Sequence, residues 1–184
     1  MKRMALTAGL IVLAVAVAGL AQTPPKPDPE LQKLHVWVGH WTVELDLKAG
    51  PLGPGGKIGA EYDGEMILGG FFFQGRWKEK GVLGEYRAFE IIGYDPVNKN
   101  YPCSWYQDNG TITSGALTIL GNIQTWEGGK YLLGGTPYLF RDTFVFSPDG
   151  LSVTEKAEVS ADGKTWMTFW DGKYAKTTSD PRSK

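Results

Sequence analysis

The second half of the chain is a train of hairpins. Between Ala88 and Tyr174, short aromatic-rich segments alternate with turn dipeptides. The segments are FEIIGYD, YPCSWYQ, TITSGALTIL, YLFRDTFVFS, LSVTEKAEV and TWMTFWDGKY. The breaks fall at Asp95-Pro96, Asn109-Gly110, Gly128-Gly129, Asp149-Gly150 and Asp162-Gly163. Asn-Gly and Asp-Gly supply the positive φ that tight hairpin turns require. Strands joined this closely pair with their sequence neighbours, and each has an apolar face to bury. Closing the sheet on itself buries those faces and leaves no free edge. The pattern predicts an all-β fold: an up-and-down antiparallel β-barrel of about nine or ten strands, with a two-sheet sandwich as the competing architecture.

The first half extends the pattern. Trp41, Val43, Leu45 and Leu47 alternate with Thr42, Glu44, Asp46 and Lys48, which marks a strand buried on one face. Residues 58–68 and 71–78 read as the next two strands, joined at Gly69-Gly70, and 83–94 follows a turn at Lys80-Gly81. Residues 49–57 (AGPLGPGGK) read as a flexible surface loop, with a lid at a barrel mouth as the alternative. Ahead of the first strand, Asp28-Pro29-Glu30 opens a short helix. Asp28 can cap it, Pro29 fits its first position and Glu30 suits its positive end. Leu31, Leu34 and His35 share one face of this helix, which would cover one end of the barrel.

The 184 residues suffice for one domain with a substantial core, and 25 glycines with 11 prolines suit a turn-dense β protein. A net charge of -1 with interspersed signs gives no basic stripe for nucleic acid and no attraction to anionic membranes. Met1-Lys2-Arg3, the apolar run from Met4 to Leu20 and the small residues Gly19 and Ala21 read as a signal peptide over 1–21. The expected organisation is therefore a signal peptide, a proline-rich linker over 22–27, a barrel domain over 28–176 and a polar tail over 177–184. The mature protein would be periplasmic or extracellular, a monomer or dimer, and free of the membrane. The single cysteine, Cys103, alternates in phase with Tyr101 and Trp105 and reads as a small buried residue.

Gly39-His40-Trp41 before the first strand resembles the G-x-W signature of calycins, in which the tryptophan packs at the closed end of the barrel. Three longer segments resemble a bacterial family of lipocalin-like proteins of unknown function: 31–44 (LQKLHVWVGHWTVE), 89–107 (FEIIGYDPVNKNYPCSWYQ) and 159–174 (VSADGKTWMTFWDGKY). The resemblance implies a barrel with an internal cavity and brings no established activity. The chain lacks the late arginine that covers the tryptophan in lipocalins, and Lys173 or Lys176 is the candidate substitute. Related barrels that bind haem use a histidine on a late strand, whereas the histidines here are His35 and His40.

No nucleophile elbow, phosphate loop or metal-ligand spacing is present, so no catalytic residue, metal or cofactor is expected. Phase along the strands says more. Phe71, Phe73 and Trp77 share one phase, and so do Tyr101, Cys103 and Trp105. Three acids fall on inward positions: Glu90 in phase with Tyr86 and Ile92, Asp142 with Phe140 and Phe144, and Glu155 with Val153 and Ala157. A buried carboxylate is costly, so each must be paired, protonated or facing a wet cavity. Arg76, Arg87 and Arg141 lie in the opposite phase and would reach the acids only across a bulge. The expected ligand-binding set is Phe73, Trp77, Tyr86, Glu90, Trp105, Asp142, Glu155 and Trp170, around a small apolar or amphipathic molecule. The alternatives are an isomerase or hydrolase using cavity carboxylates, and a structural or interaction module with a filled interior.

Overall fold

The computed structural model of the chain describes residues 25–133 and 135–177. The signal peptide read over 1–21, the first part of the linker and nearly all of the tail lie outside the described residues. A 3-10 helix, Pro29–Trp37, is followed by ten strands: β1 Gly39–Leu47, β2 Gly56–Ile67, β3 Phe72–Gly81, β4 Gly84–Ile92, β5 Tyr101–Gln107, β6 Ile112–Leu120, β7 Ile123–Leu133, β8 Thr136–Phe146, β9 Ser152–Ser160 and β10 Met167–Lys176. Every strand pairs antiparallel with its sequence neighbour, and β1 pairs with β10 to close the barrel. The up-and-down barrel expected from the hairpin pattern is the fold.

The helix differs from expectation in its buried face. With three residues per turn, positions i, i+3 and i+6 align. Leu31, Leu34 and Trp37 therefore face inward, while His35 is exposed. Asp28 caps the helix by accepting from the Glu30 N–H at 2.9 Å. At the other end Gly39, with φ of 123°, starts β1.

Two turn assignments also change. Gly128-Gly129 is not a turn but lies within β7, at a bulge that shifts the register between Gly128 and Lys130. Gly128 is bare for a packing reason: the Trp126 ring occupies the place a Cβ would take. The hairpin turn falls instead at Gly121-Asn122, where Gly121 has φ of 62°. Phe71 sits in the turn before β3 rather than within the strand.

The helix and the Gly121-Asn122 turn lie at the same end of the barrel, where the core is dense. Trp41 is 0% exposed, and its Nε1 donates to the Trp37 carbonyl at 3.0 Å. Lys176, not Lys173, is the cation at Trp41: its Nζ lies 5.1 Å from the Trp41 ring centroid and donates to the Val36 carbonyl at 3.2 Å. Lys173 is exposed. Tyr101 ties the helix down by donating to Glu30 Oε2 at 2.9 Å. At the opposite end Leu47, Phe140, Ala157, Val159 and Phe169 form a second cluster, against which Leu52 of the 49–57 loop packs.

Candidate functional site

Between these two ends the barrel is hollow. The cavity holds about 340 Å³ and opens toward the hairpins around Leu83 and Asn109. Its floor is Trp37, whose ring makes edge contacts with Tyr62, Phe144, Phe146 and Tyr174 at 4.7 to 5.7 Å between centroids. Trp37 Nε1 donates to Gln124 Oε1 at 2.8 Å, which satisfies a buried polar pair. Trp77, Trp105, Trp126 and Trp170 supply much of the wall.

Of the residues singled out from the sequence, Trp77, Tyr86, Glu90, Trp105, Asp142, Glu155 and Trp170 all line this cavity. Phe73 does not. It is 0% exposed and packs with Tyr62 in the core near the closed end, because β3 begins there. The wall also includes Trp37, Tyr62, Cys103, Trp126 and Tyr174, which had not been placed in the site.

All three acids point inward, and neutral side chains, not arginines, satisfy Glu90 and Glu155. Arg141 pairs outside the barrel with Glu158 at 2.7 Å and stacks 4.2 Å from the Trp166 ring. Arg76 pairs with Glu65 at 2.6 Å on the outer surface, and Arg87 is exposed. Glu90 accepts from the Tyr62 hydroxyl and from the Cys103 thiol at 3.4 Å. Glu155 accepts from Trp170 Nε1 at 2.9 Å and from the Tyr174 hydroxyl at 2.8 Å. A bulge between Thr168 and Trp170 accompanies the turn of this indole into the barrel.

Inward glycines make room for both networks. Gly75 of β3 is the register partner of Glu90, and Gly172 of β10 is the partner of Glu155. The Tyr62 ring lies where a Gly75 side chain would stand, and the Glu155 carboxyl lies where a Gly172 side chain would stand.

Burial holds Glu90 above the usual carboxylate range, with the Tyr62 and Cys103 hydrogen bonds pulling the other way. Asp142 is pushed well up by burial and by the neighbouring Glu155 charge, and Glu155 is raised by burial against the donors it accepts from. Two adjacent buried carboxyls do not both ionise cheaply, so the Asp142–Glu155 pair keeps a proton. At the rim, burial raises Glu79, which accepts from Trp77 Nε1 at 2.7 Å. Burial likewise raises the Cys103 thiol well above its ordinary value, which leaves it un-ionised and unreactive. The described residues include no His/Cys/Asp/Glu cluster fit to hold a metal ion.

Fold and cavity together define a single-chain hollow β-barrel with an aromatic interior. Residues 26–176 match a family described as protein of unknown function (DUF1579), and the chain belongs to that family. No curated protein matches it. Among solved structures it is similar to Rv2717c from M. tuberculosis, at 12% identity over 83% of this chain and 99% of the other, with a TM-score of 0.57. It is similar as well to the S-type phycobiliprotein lyase CPES from Guillardia theta, at 8% identity over 81% of this chain and 93% of the other, again with a TM-score of 0.57. At these identities the likeness is one of fold.

Proposed function

We propose that this protein is an exported, lipocalin-like (calycin-type) carrier, sensor or scavenger that holds one small, mostly apolar molecule inside its barrel. The observation that carries this reading is the hollow itself. About 340 Å³ of space is floored by Trp37 and walled by rings, when the same barrel could have been filled with larger side chains. That volume lies at the small end of ligand sites and suits a compact guest of up to about three rings. The apolar run at 4–20, with its basic start, supports export.

The test is uptake of a neutral fluorophore, N-phenyl-1-naphthylamine, followed by its emission. Saturable uptake at one site is expected. Thr113→Trp, at a buried position of the wall, should abolish it while leaving the β circular dichroism intact. Uptake unchanged in that variant would place the dye elsewhere and remove the support for a cavity site.

A second reading has one observation in its favour. The Asp142–Glu155 pair keeps a proton inside a ligand-sized hollow, as a general acid would. An isomerase or hydrolase built on that pair would lose turnover in Asp142→Asn while still binding its substrate.

A further inference from the structure

Four carboxyl groups line the cavity: Glu79, Glu90, Asp142 and Glu155. Among the described residues that line it there is no lysine, arginine or histidine to oppose them. Three of the four accept from neighbouring donors, namely Trp77 to Glu79, Tyr62 and Cys103 to Glu90, and Trp170 and Tyr174 to Glu155. Asp142 is different. Its Oδ1 is buried and takes no hydrogen bond from any N–H or O–H of the described residues. A buried acceptor in that state costs free energy until a proton or a guest's donor reaches it. Trp126, the register partner of Asp142 on β7, and Phe140, two residues before it, bring aromatic rings to the same cavity, and the faces of such rings attract cations.

We propose that the guest carries a protonated amine, and that Asp142 and Glu155 receive it while the aromatic walls hold its apolar body. The inference rests on the binding function proposed above and narrows its ligand class. A carboxylate guest, such as a fatty acid, would meet four acids and no counter-charge. A neutral guest would leave the pair as it is. An ammonium supplies both the donor that Asp142 Oδ1 lacks and the charge that opposes the single negative charge of the pair.

The exchange balances in protons. In the empty barrel the pair keeps one proton, held chiefly by burial. The titratable groups that face Asp142 are Glu155 from β9, Glu90 across the barrel from β4 and Tyr174 from β10. The other strand beside it, β7, presents Trp126 and no titratable group to the cavity. The singly protonated pair already carries one negative charge, so an entering ammonium keeps its own protons and the pair keeps its one. An N–H···O bond is added at Asp142 Oδ1, and the pair's single negative charge stands against the positive one.

Isothermal titration calorimetry of the protein with three matched indoles tests this. Tryptamine is the cation, tryptophol the neutral isostere and indole-3-propionate the anion. Tryptamine should bind about tenfold or more tightly than tryptophol, with indole-3-propionate weakest. Asp142→Asn should bind tryptamine and tryptophol alike. Equal affinities in the wild type, tightest binding of the acid, or a preference that survives Asp142→Asn would overturn the amine inference and leave a cavity for neutral guests. No binding of any indole alongside uptake of N-phenyl-1-naphthylamine would do the same. Failure of the dye as well would remove both readings.

Discussion

Tyr62 of β2 and Glu90 of β4 meet over Gly75 of the strand between them. The contact exists because position 75 has no side chain. In Gly75→Ala the new Cβ would collide with the Tyr62 ring, displace the hydroxyl and leave Glu90 with the weaker thiol donor alone. A loss of about 1–3 kcal/mol is expected in urea unfolding. Gly59→Ala, on the exposed face of β2 with nothing near its Cβ, is the control and should change stability by less than about 0.5 kcal/mol.

Stability should fall at both ends of the pH scale for different reasons. Glu90, Asp142 and Glu155 have folded pKa values raised mainly by burial. Their contribution is complete below the unfolded pKa, near about 4, and is lost as pH rises through the folded values. Asp162 does the opposite. Backbone N–H groups of Thr165 and Lys164 pull it down to about 2, so its contribution is present above the unfolded pKa and is lost as pH falls toward that value. Asp142→Asn removes one interior titration. Between about pH 5 and about pH 8 its unfolding free energy should decline less than that of the wild type. Parallel declines would mean that Asp142 does not titrate there.

Trp37 bears the cavity floor through both its ring and its N–H. Trp37→Phe keeps a ring but strands Gln124, which is 2% exposed, without its donor. That variant should lose about 1–3 kcal/mol in chemical denaturation, and Trp37→Ala about 3–5 kcal/mol. Dye uptake should weaken more in the second, since the floor itself is removed.

Lys176 closes the same end from the last strand. Lys176→Ala removes the cation over Trp41, the bond to Val36 and the aliphatic stem that packs beside Gly39, at a cost of about 1 kcal/mol or somewhat more. Lys176→Arg should restore most of it. Lys173→Ala, on the exposed face of β10, should be near neutral by thermal melting.

The strands were legible because alternation and turn chemistry act locally. Trp41 to Leu47, and the acids at 90, 142 and 155, occupy the faces their phase implied. The partners of those acids were not legible, since Tyr62, Tyr174 and Trp170 reach them across neighbouring strands or past a bulge. Register decides such contacts, and register is a property of the closed sheet. Gly128 misled because glycine marks both turns and places where a ring must lie flat on the backbone. Gly75 and Gly172, glycines inside alternating runs, were the readable signal that something large crosses there. His35 was misplaced because a helix of three residues per turn aligns Trp37, not His35, with Leu34.

Native mass spectrometry of protein drawn from its own host tests the hollow most directly. One small molecule per barrel is expected, released on unfolding and absent from Thr113→Trp. A bare polypeptide mass in every preparation, with no uptake of N-phenyl-1-naphthylamine by the same material, would contradict a ligand-holding barrel.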